Sequence, residues 1–284
     1  MRLPRPSNRG MRILVGVMIA GLFCIQCTRT EAFRESDFVQ AISGKDFGST
    51  PPGALAEIDR LAKSDHVALL ERCLANYQGR YRDYACTFIK QERINGALGK
   101  QQWIDVKFMD EPFSVAMKWT QNAPLGEAAL YVEGKYNNQM LVKPTGLWGK
   151  LLGTVVRQPD GKEAMQNTLR PINLFGFERG LENLLAVYRQ AKQNGDLKEE
   201  FGGYADVAGR KTVVLVRQLP PKHDYPAAKT LVFVDVDRLV PVRIEGYDWD
   251  NQITSQYTYK DVKLNTGLTE DDFLPEANGM KPPQ

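Results

Sequence analysis

The sequence predicts an α+β protein in which one large antiparallel sheet curves into an open half-barrel and helices cover its concave face. Segments with alternating apolar and polar residues follow one another from Tyr84 to Lys263, as expected for strands with one buried face. Short turn sequences separate these segments, which favours antiparallel hairpins. Two stretches have apolar residues at helical spacing instead. A sheet of this width must curl, because the twist of its strands accumulates.

The helical stretches lie before the first strand and in the middle of the chain. Apolar residues recur at helical spacing from Ala54 to Tyr77, with a break predicted near Ser64. A second amphipathic helix is predicted over Leu181 to Tyr188, and Gly195 stands where a glycine commonly ends a helix. Each helix has an apolar stripe that needs a surface to cover, and the sheet provides that surface.

The alternating segments give the strands in chain order. Turn sequences such as Asn95-Gly96 and Asp110-Glu111-Pro112 connect neighbours closely enough for hairpins. The predicted strands are Tyr84–Ile89, Trp103–Phe108, Phe113–Trp119, Glu127–Val132, Gln139–Lys143, Leu151–Arg157, Leu197–Tyr204, Lys211–Leu219, Thr230–Asp235, Val240–Tyr247 and Gln252–Lys263. If the helices only partly fill the concave side of this sheet, the remaining space is an apolar pocket.

The N-terminus predicts export. Several arginines precede an apolar run from Ile13 to Ile25, and the pattern Thr30-Glu31-Ala32 follows, which is typical of a secretory signal peptide over residues 1–32. The apolar run is shorter than the roughly 20 residues of a membrane-spanning helix. Met11 is an alternative start that gives a more compact signal. We therefore expect the protein in the periplasm or cell envelope.

A lipid anchor at Cys24 or Cys27 is the alternative to cleavage of the signal. Lipoprotein signals prefer small residues just before the modified cysteine, whereas Phe23 and Gln26 stand at these positions. The sequence therefore favours cleavage after Ala32.

Behind the signal, the chain is expected to contain one folded domain. Residues 33–52 end in a Pro-rich segment and are predicted to form a flexible tether. Residues 53–275 suit a single domain, because large sheets often run to about 200–250 residues as one unit. Residues 276–284 are predicted to be a Pro-rich tail.

Charge and cysteine content narrow the classes of partner and compartment. The chain has a net charge of +3, of which residues 1–32 contribute +4, so −1 remains for the rest. A nearly neutral domain lacks the basic surface of a nucleic-acid-binding protein. Cys73 and Cys86 are the cysteines that remain after cleavage. In an oxidising compartment this pair predicts a disulfide, and two buried thiols are the alternative.

The sequence contains no recognisable catalytic or metal-ligating pattern. His66 and His223 have no Cys, His or carboxylate partner at zinc spacing, and both are expected to be exposed to solvent. Asp248-Trp249-Asp250-Asn251 resembles part of a calcium loop, but it lacks the glycine and the closing glutamate and is predicted to be a hairpin turn. We therefore expect no catalytic residue, no metal and no cofactor.

Three segments resemble a family of exported bacterial proteins known as domain of unknown function 1571. These segments are Tyr84 to Arg93, Val106 to Val115 with its Glu-Pro-Phe-Ser sequence, and Gly126 to Lys135. The resemblance covers most of residues 70–275. This family has no activity that can be transferred to the chain.

A more distant resemblance is to the periplasmic lipoprotein carriers LolA and LolB. It rests on a Pro-Phe strand followed by an x-Gly-Lys hairpin, and on a C-terminal series that includes Pro241 to Ile244, Tyr257 and Asp272-Phe273. This resemblance implies an open, strongly curved antiparallel sheet whose hollow is covered by helices and holds acyl chains. A shared fold does not by itself establish a function.

These observations predict a non-enzymatic exported protein that binds a lipid or the acyl chains of a lipoprotein in the hollow. The side chains predicted to bind the ligand are Ile104, Val106, Phe108, Phe113, Val115, Met117 and Trp119. The first alternative is an envelope structural or interaction protein that docks a protein partner through a sheet edge or through Trp148 or Trp249. The second is a hydrolase whose site is assembled from scattered residues, with His66 and His223 as the most obvious bases.

Overall fold

A computed structural model describes residues 39–42, 52–147, 151 and 153–282. The predicted signal peptide, most of the predicted tether and Trp148 lie outside these residues. The strands are β1 Val39–Ile42, β2 Asp83–Ile94, β3 Ala97–Leu98, β4 Gln102–Met109, β5 Ser114–Gln121, β6 Gly126–Val132, β7 Met140–Pro144, β8 Val155–Arg157, β9 Lys198–Val207, β10 Arg210–Gln218, β11 Lys229–Asp235, β12 Pro241–Tyr247 and β13 Ile253–Leu264. The long helices are α1 Pro52–Ser64, α2 His66–Arg80 and α3 Phe177–Gln193.

The strands form one antiparallel sheet that does not close. Its order is β1-β9-β10-β11-β12-β13-β2-β4-β5-β6-β7-β8, and the short strand β3 pairs with the end of β2. Within the described residues, β1 and β8 are therefore the two edges. The predicted fold class, an open half-barrel with α+β architecture, is confirmed. Three details differ from the prediction: β3 is an additional short strand, β8 takes up only the end of the predicted strand Leu151–Arg157, and β1 lies within the predicted tether.

The three helices cover one face of the sheet, which we call the inner face. The predicted break near Ser64 is confirmed, because α1 ends there and the carboxylate of Asp65 accepts a hydrogen bond of 3.1 Å from the Ala68 N–H at the start of α2. Asp65 thus satisfies one of the free N–H groups of the first turn. Apolar side chains of the helices and of β10 and β11 form one buried cluster, which includes Ile58, Leu69, Leu70, Leu181, Leu185, Val213, Leu215, Val232 and Val234.

Beside this helix-covered cluster, the inner face carries an aromatic cluster. Its centre is Tyr84 of β2, whose ring stacks on Phe108 of β4 at 4.7 Å between centroids. Phe175 and Phe177, which flank the start of α3, cover these rings. Gly176 between them has φ 111°, and a Cβ there would lie 2.8 Å from the Phe108 ring. Only glycine allows the chain to pass so closely over Phe108.

The C-terminal residues pack on the opposite, outer face. Phe273 and Met280 are buried there against Leu130 of β6 and Leu141 of β7. The chain beyond Pro275, which the sequence predicts to be a tail, therefore contributes to a core. Within the described part of the chain, no helix has the length and the apolar character that crossing a bilayer requires.

A half-buried carboxyl group, that of Asp110, joins α2 to the end of β4. The hydroxyl of Tyr77 donates a hydrogen bond of 3.1 Å to Asp110, and burial raises the pKa of Asp110 to about 7. The folded protein therefore holds the Asp110 proton more tightly than the unfolded chain does. The stability that results is complete below the unfolded pKa of about 4 and is lost as the pH rises towards 7.

We therefore predict that Asp110→Asn removes part of the pH dependence of folding. The free energy of unfolding of the unchanged protein should fall relative to that of the variant between pH 4 and pH 7, because Asn has no proton to lose. Urea unfolding of both proteins at three pH values in this range measures the difference. If the difference in the free energy of unfolding between the two proteins does not change with pH, the pKa of Asp110 is the same in the folded protein as in the unfolded chain.

Candidate functional site

A hollow of about 550 Å³ remains on the inner face between the sheet and the segment that precedes α3. Its volume lies within the roughly 300–1,000 Å³ of typical small-molecule sites. The sheet contributes apolar side chains of β2, β4 to β8, β12 and β13, and the covering segment runs from Pro159 to Gly176. The apolar lining residues include Phe88, Ile104, Met117, Trp119, Leu125, Ala129, Met140, Val142, Val155, Pro171, Ile172, Leu174, Phe175, Ile244, Tyr257 and Tyr259.

The structure places three of the seven predicted ligand-binding residues in the lining of the hollow. These are Ile104, Met117 and Trp119. The other four are also buried on the inner face, but they do not line the hollow. The aromatic cluster and the start of α3 already fill the space next to their end of the strands. They are Val106, Phe108, Phe113 and Val115. Strand alternation identifies the face on which a side chain lies. Which side chains on that face remain accessible depends on where the covering segment and the start of α3 lie.

About half of the lining that the sequence did not predict comes from the covering segment and the hairpin loops. Leu125 stands between β5 and β6, and Ile172 and Leu174 lie in a short 3₁₀ turn before α3. None of these residues belongs to an alternating or helical pattern. Only their apolar character could have pointed to them.

One end of the hollow is polar. Lys90 and Glu92 continue the inner-facing positions of β2 beyond Phe88, and their side chains form a buried ion pair of 3.0 Å. The hydroxyl of Tyr257 donates to the Glu92 carboxylate at 2.6 Å, and the Lys90 ammonium donates to Thr168 at 3.0 Å. Burial and the charge of Glu92 both raise the pKa of Tyr257. The covering segment is thus fastened to the sheet through a satisfied polar network.

Two arginines also line the hollow. Arg157 of β8 forms an ion pair of 2.5 Å with Glu163 in the covering segment. Arg170 is exposed, and its guanidinium group lies 5.5 Å from the centroid of the Tyr257 ring. The carbonyl of Arg170 accepts a hydrogen bond of 3.1 Å from the hydroxyl of Thr168, which fixes the backbone beside the polar network.

A larger groove of about 720 Å³ crosses the outer face, but its lining is different. Small residues such as Ala85 and Ala116 form its floor, and charged side chains of the neighbouring strands surround them. Three of the predicted ligand-binding residues also border this groove: Val106, Met117 and Trp119. Lys143 and Glu127 form an ion pair of 2.7 Å across this surface. The groove exposes less apolar surface than the hollow does, so the hollow is the better candidate for an apolar ligand.

Cys73 and Cys86 are free, buried thiols, so the predicted disulfide is not formed in this structure. Cys73 belongs to the helix-covered cluster and Cys86 to the aromatic cluster, and each thiol packs among its own apolar neighbours. Burial raises the pKa of the Cys73 thiol to about 12 and that of Cys86 still further above its usual value. Both groups are therefore protonated at neutral pH.

The prediction that His66 is exposed is wrong. Only 1% of its surface is accessible, because α3 packs over the start of α2. Its Nε2 lies 2.9 Å from the carbonyl oxygen of Ala62, and its Nδ1 lies 3.4 Å from the hydroxyl of Tyr188. Burial lowers the pKa of His66. His223 is exposed as predicted, at 3.5 Å from Asp196, and neither histidine lines the hollow.

The other polar pattern that the sequence singles out has a structural role. Asp248 to Asn251 form the predicted hairpin turn between β12 and β13, closed by a hydrogen bond of 3.1 Å from the Asn251 N–H to the carbonyl of Asp248. Among the described residues, no group of three or more His, Cys, Asp or Glu side chains is placed to hold a metal ion.

The described residues thus form an open half-barrel with a partly covered hollow on its inner face. The chain belongs to the family described as protein of unknown function (DUF1571), whose model matches residues 81–280. This match contains strands β2 to β13 and all described residues that line the hollow. A comparison with the curated proteins finds no match.

Solved structures with a similar fold come from several bacteria. A chain of the Pseudomonas aeruginosa MucA/MucB complex is 16% identical, with a TM-score of 0.44, over 76% of this chain and 62% of that chain, so this chain covers less than two thirds of it. Mycobacterium tuberculosis lipoprotein LppX is 15% identical, with a TM-score of 0.40, over 72% of this chain and 99% of LppX. A LolA superfamily protein from Nitrosomonas europaea is 13% identical, with a TM-score of 0.27, over 74% and 97% of the two chains.

Proposed function

We propose that this protein is an exported, non-enzymatic binding protein that holds a lipid or the acyl chains of a lipoprotein in the hollow. The observation that carries the proposal is a cavity of about 550 Å³ with a mainly apolar lining, left open beside two well-filled clusters of the same inner face. A space of this kind is costly to leave empty in water, and an aliphatic chain fits its lining.

Burial of an acyl tail favours binding, and the affinity depends on the length of the tail. Burial of each methylene group contributes about 0.8 kcal/mol, so ten carbons would contribute about 8 kcal/mol before the cost of association. With a cost of about 4 kcal/mol, the dissociation constant from ten carbons alone is on the order of 1 mM. A longer tail and the headgroup then supply additional affinity.

The cellular location is part of the same proposal. The charge pattern and apolar run of residues 1–32 support export with cleavage after Ala32, to the periplasm or cell envelope. There the protein would meet lipids and lipoproteins that need shelter from water. A search for the mature N-terminus by mass spectrometry of the secreted protein tests this step.

We predict that affinity rises steeply with the length of the alkyl chain. Each two carbons should tighten binding by about 1.6 kcal/mol, or roughly 15-fold, until the hollow is full. Competition of saturated fatty acids of increasing length against a fluorescent fatty acid measures this dependence. Native mass spectrometry after mild purification should also show a bound hydrophobic ligand. Repeated recovery of ligand-free protein that ignores every fatty acid would end the proposal.

An interaction protein of the envelope is the second candidate. Leu125, Leu169 and Leu174 are 55%, 44% and 42% exposed around the hollow, and Trp249 is 46% exposed at the β12–β13 turn. Exposed apolar side chains of this kind are typical of contact sites. Recovery of a stoichiometric protein partner from envelope extracts, together with an empty hollow, would favour this candidate over lipid binding.

A further inference from the structure

The charged groups that line the hollow are not balanced. Lys90 is paired with Glu92, and Arg157 is paired with Glu163. Arg170 contributes one more positive charge, and among the described residues it has no carboxylate partner. Its guanidinium group rests on the Tyr257 ring, which leaves N–H donors available at the mouth of the hollow. The lining therefore has an excess of one positive charge.

A second guanidinium group without a counter-charge lies on the same inner face. Arg217 of β10 is only 2% exposed and packs 4.8 Å from the centroid of the Tyr188 ring. Its Nη2 donates to the hydroxyl of Thr230 at 2.9 Å, but its Nε and Nη1 have no partner in the part of the chain that the structure describes. Glu199 is its cross-strand neighbour, but the Glu199 carboxylate accepts from the His66 N–H instead.

The two guanidinium groups influence each other. Burial lowers the pKa of Arg217, and the positive charge of Arg170 lowers it further. In the sheet, Arg217 belongs to the same cross-strand row as Thr230, Gly246, Ser255 and Glu92. Of this row only Glu92 lines the hollow, so Arg217 lies beyond its polar end. The positive charge of Arg170 adds to the cost of burying Arg217, and an anion that pairs with Arg170 removes this contribution.

We propose that the ligand of the hollow carries an anionic headgroup, a carboxylate or a phosphate, and that Arg170 pairs with this headgroup at the mouth. This inference rests on the proposed acyl-binding function and adds the class of headgroup to it. The guanidinium fork of Arg170 can donate two parallel hydrogen bonds to either anion. The tail then occupies the apolar part of the hollow beside Ile104 and Met117.

The test compares three ligands with the same sixteen-carbon tail: hexadecanoic acid, hexadecyl phosphate and hexadecanol. The full chain, processed as in the cell, should bind at least one of the two anions about tenfold or more tightly than hexadecanol, because a hydrogen bond to a charged group contributes more than a neutral one. In Arg170→Gln the ratio of the affinity for the anion to that for hexadecanol should fall towards one, while the affinity for hexadecanol stays unchanged. The anion that is preferred identifies the headgroup as a carboxylate or a phosphate.

Arg189→Gln is the matched control, because Arg189 lies on the outside of α3 and pairs with Glu71 at 2.7 Å. It removes the same charge and should leave the preference for anions intact. Equal affinity of the unchanged protein for all three ligands would overturn this inference while leaving acyl binding in place. Loss of hexadecanol binding in Arg170→Gln would also overturn it, because Arg170 would then act by shaping the hollow. If none of the three ligands binds, the acyl-binding function itself fails.

Discussion

Gly180→Trp is expected to reduce the affinity for fatty acids by about a hundredfold. Gly180 lies on the second turn of α3 and lines the hollow, and a Cβ at this position would meet no atom within 4 Å. An indole ring there would take the space of about four methylene groups, which corresponds to roughly 3 kcal/mol of lost burial. Displacement of a fluorescent fatty acid measures the loss directly.

Gly180→Ala is the control for this variant. It should leave affinity unchanged, because a methyl group occupies little of the hollow, and it should stabilise the protein by about 0.5–1 kcal/mol, because glycine is a poor residue for a helix interior. Unchanged fatty-acid binding by a folded Gly180→Trp protein would place the ligand outside the hollow. The far-ultraviolet circular dichroism of both variants shows that they are folded.

Lys90→Met is expected to destabilise the protein by about 3–5 kcal/mol. The substitution removes the partner of the buried Glu92 carboxylate, which is 4% exposed, and leaves its charge without compensation. It also breaks the hydrogen bond from Lys90 to Thr168 and thus one attachment of the covering segment. Chemical denaturation at neutral pH measures the change in the free energy of unfolding.

The double variant Lys90→Met/Glu92→Gln separates the charge effect from the loss of packing. A neutral glutamine side chain in place of Glu92 needs no cation and can still accept the hydrogen bond from Tyr257. We therefore expect the double variant to recover most of the stability that the single variant loses. If it is less stable than Lys90→Met, the Lys90–Glu92 pair does not act as a charge-compensated unit.

Much of the fold could be predicted from the sequence, because side chains alternate strictly along a strand. The alternation of Phe88, Ile104 and Met117 with polar neighbours places these residues on one face, and the structure has them there. The break between α1 and α2 is predictable because Asp65 is a typical cap. The existence of the helices, the succession of strands along the chain and the pairing of hairpin-connected strands follow from such local patterns. The pairings of β2 with β13 and of β1 with β9 do not, because these strands are far apart in the sequence.

The site was predictable only in part, because its limits depend on long-range packing. The segment from Pro159 to Gly176 has no periodicity, so no local pattern indicates where it covers the sheet. Alternation alone therefore predicts that Phe108 is as accessible as Ile104, whereas Gly176 and Phe175 bury it. The burial of His66 has the same origin, since it results from contact with Tyr188, which is 122 residues away in the chain.

The most direct test of the central claim uses the fluorescence of Trp119, which lines the hollow. A variant that keeps Trp119 and replaces Trp103, Trp148 and Trp249 by Phe would be titrated with a fatty acid brominated midway along its chain. An acyl chain in the hollow brings the bromine next to the indole, so we predict saturable quenching of Trp119. A second variant that keeps only Trp249 should not be quenched. Binding that leaves Trp119 unquenched, or that quenches Trp249 equally, would contradict the account.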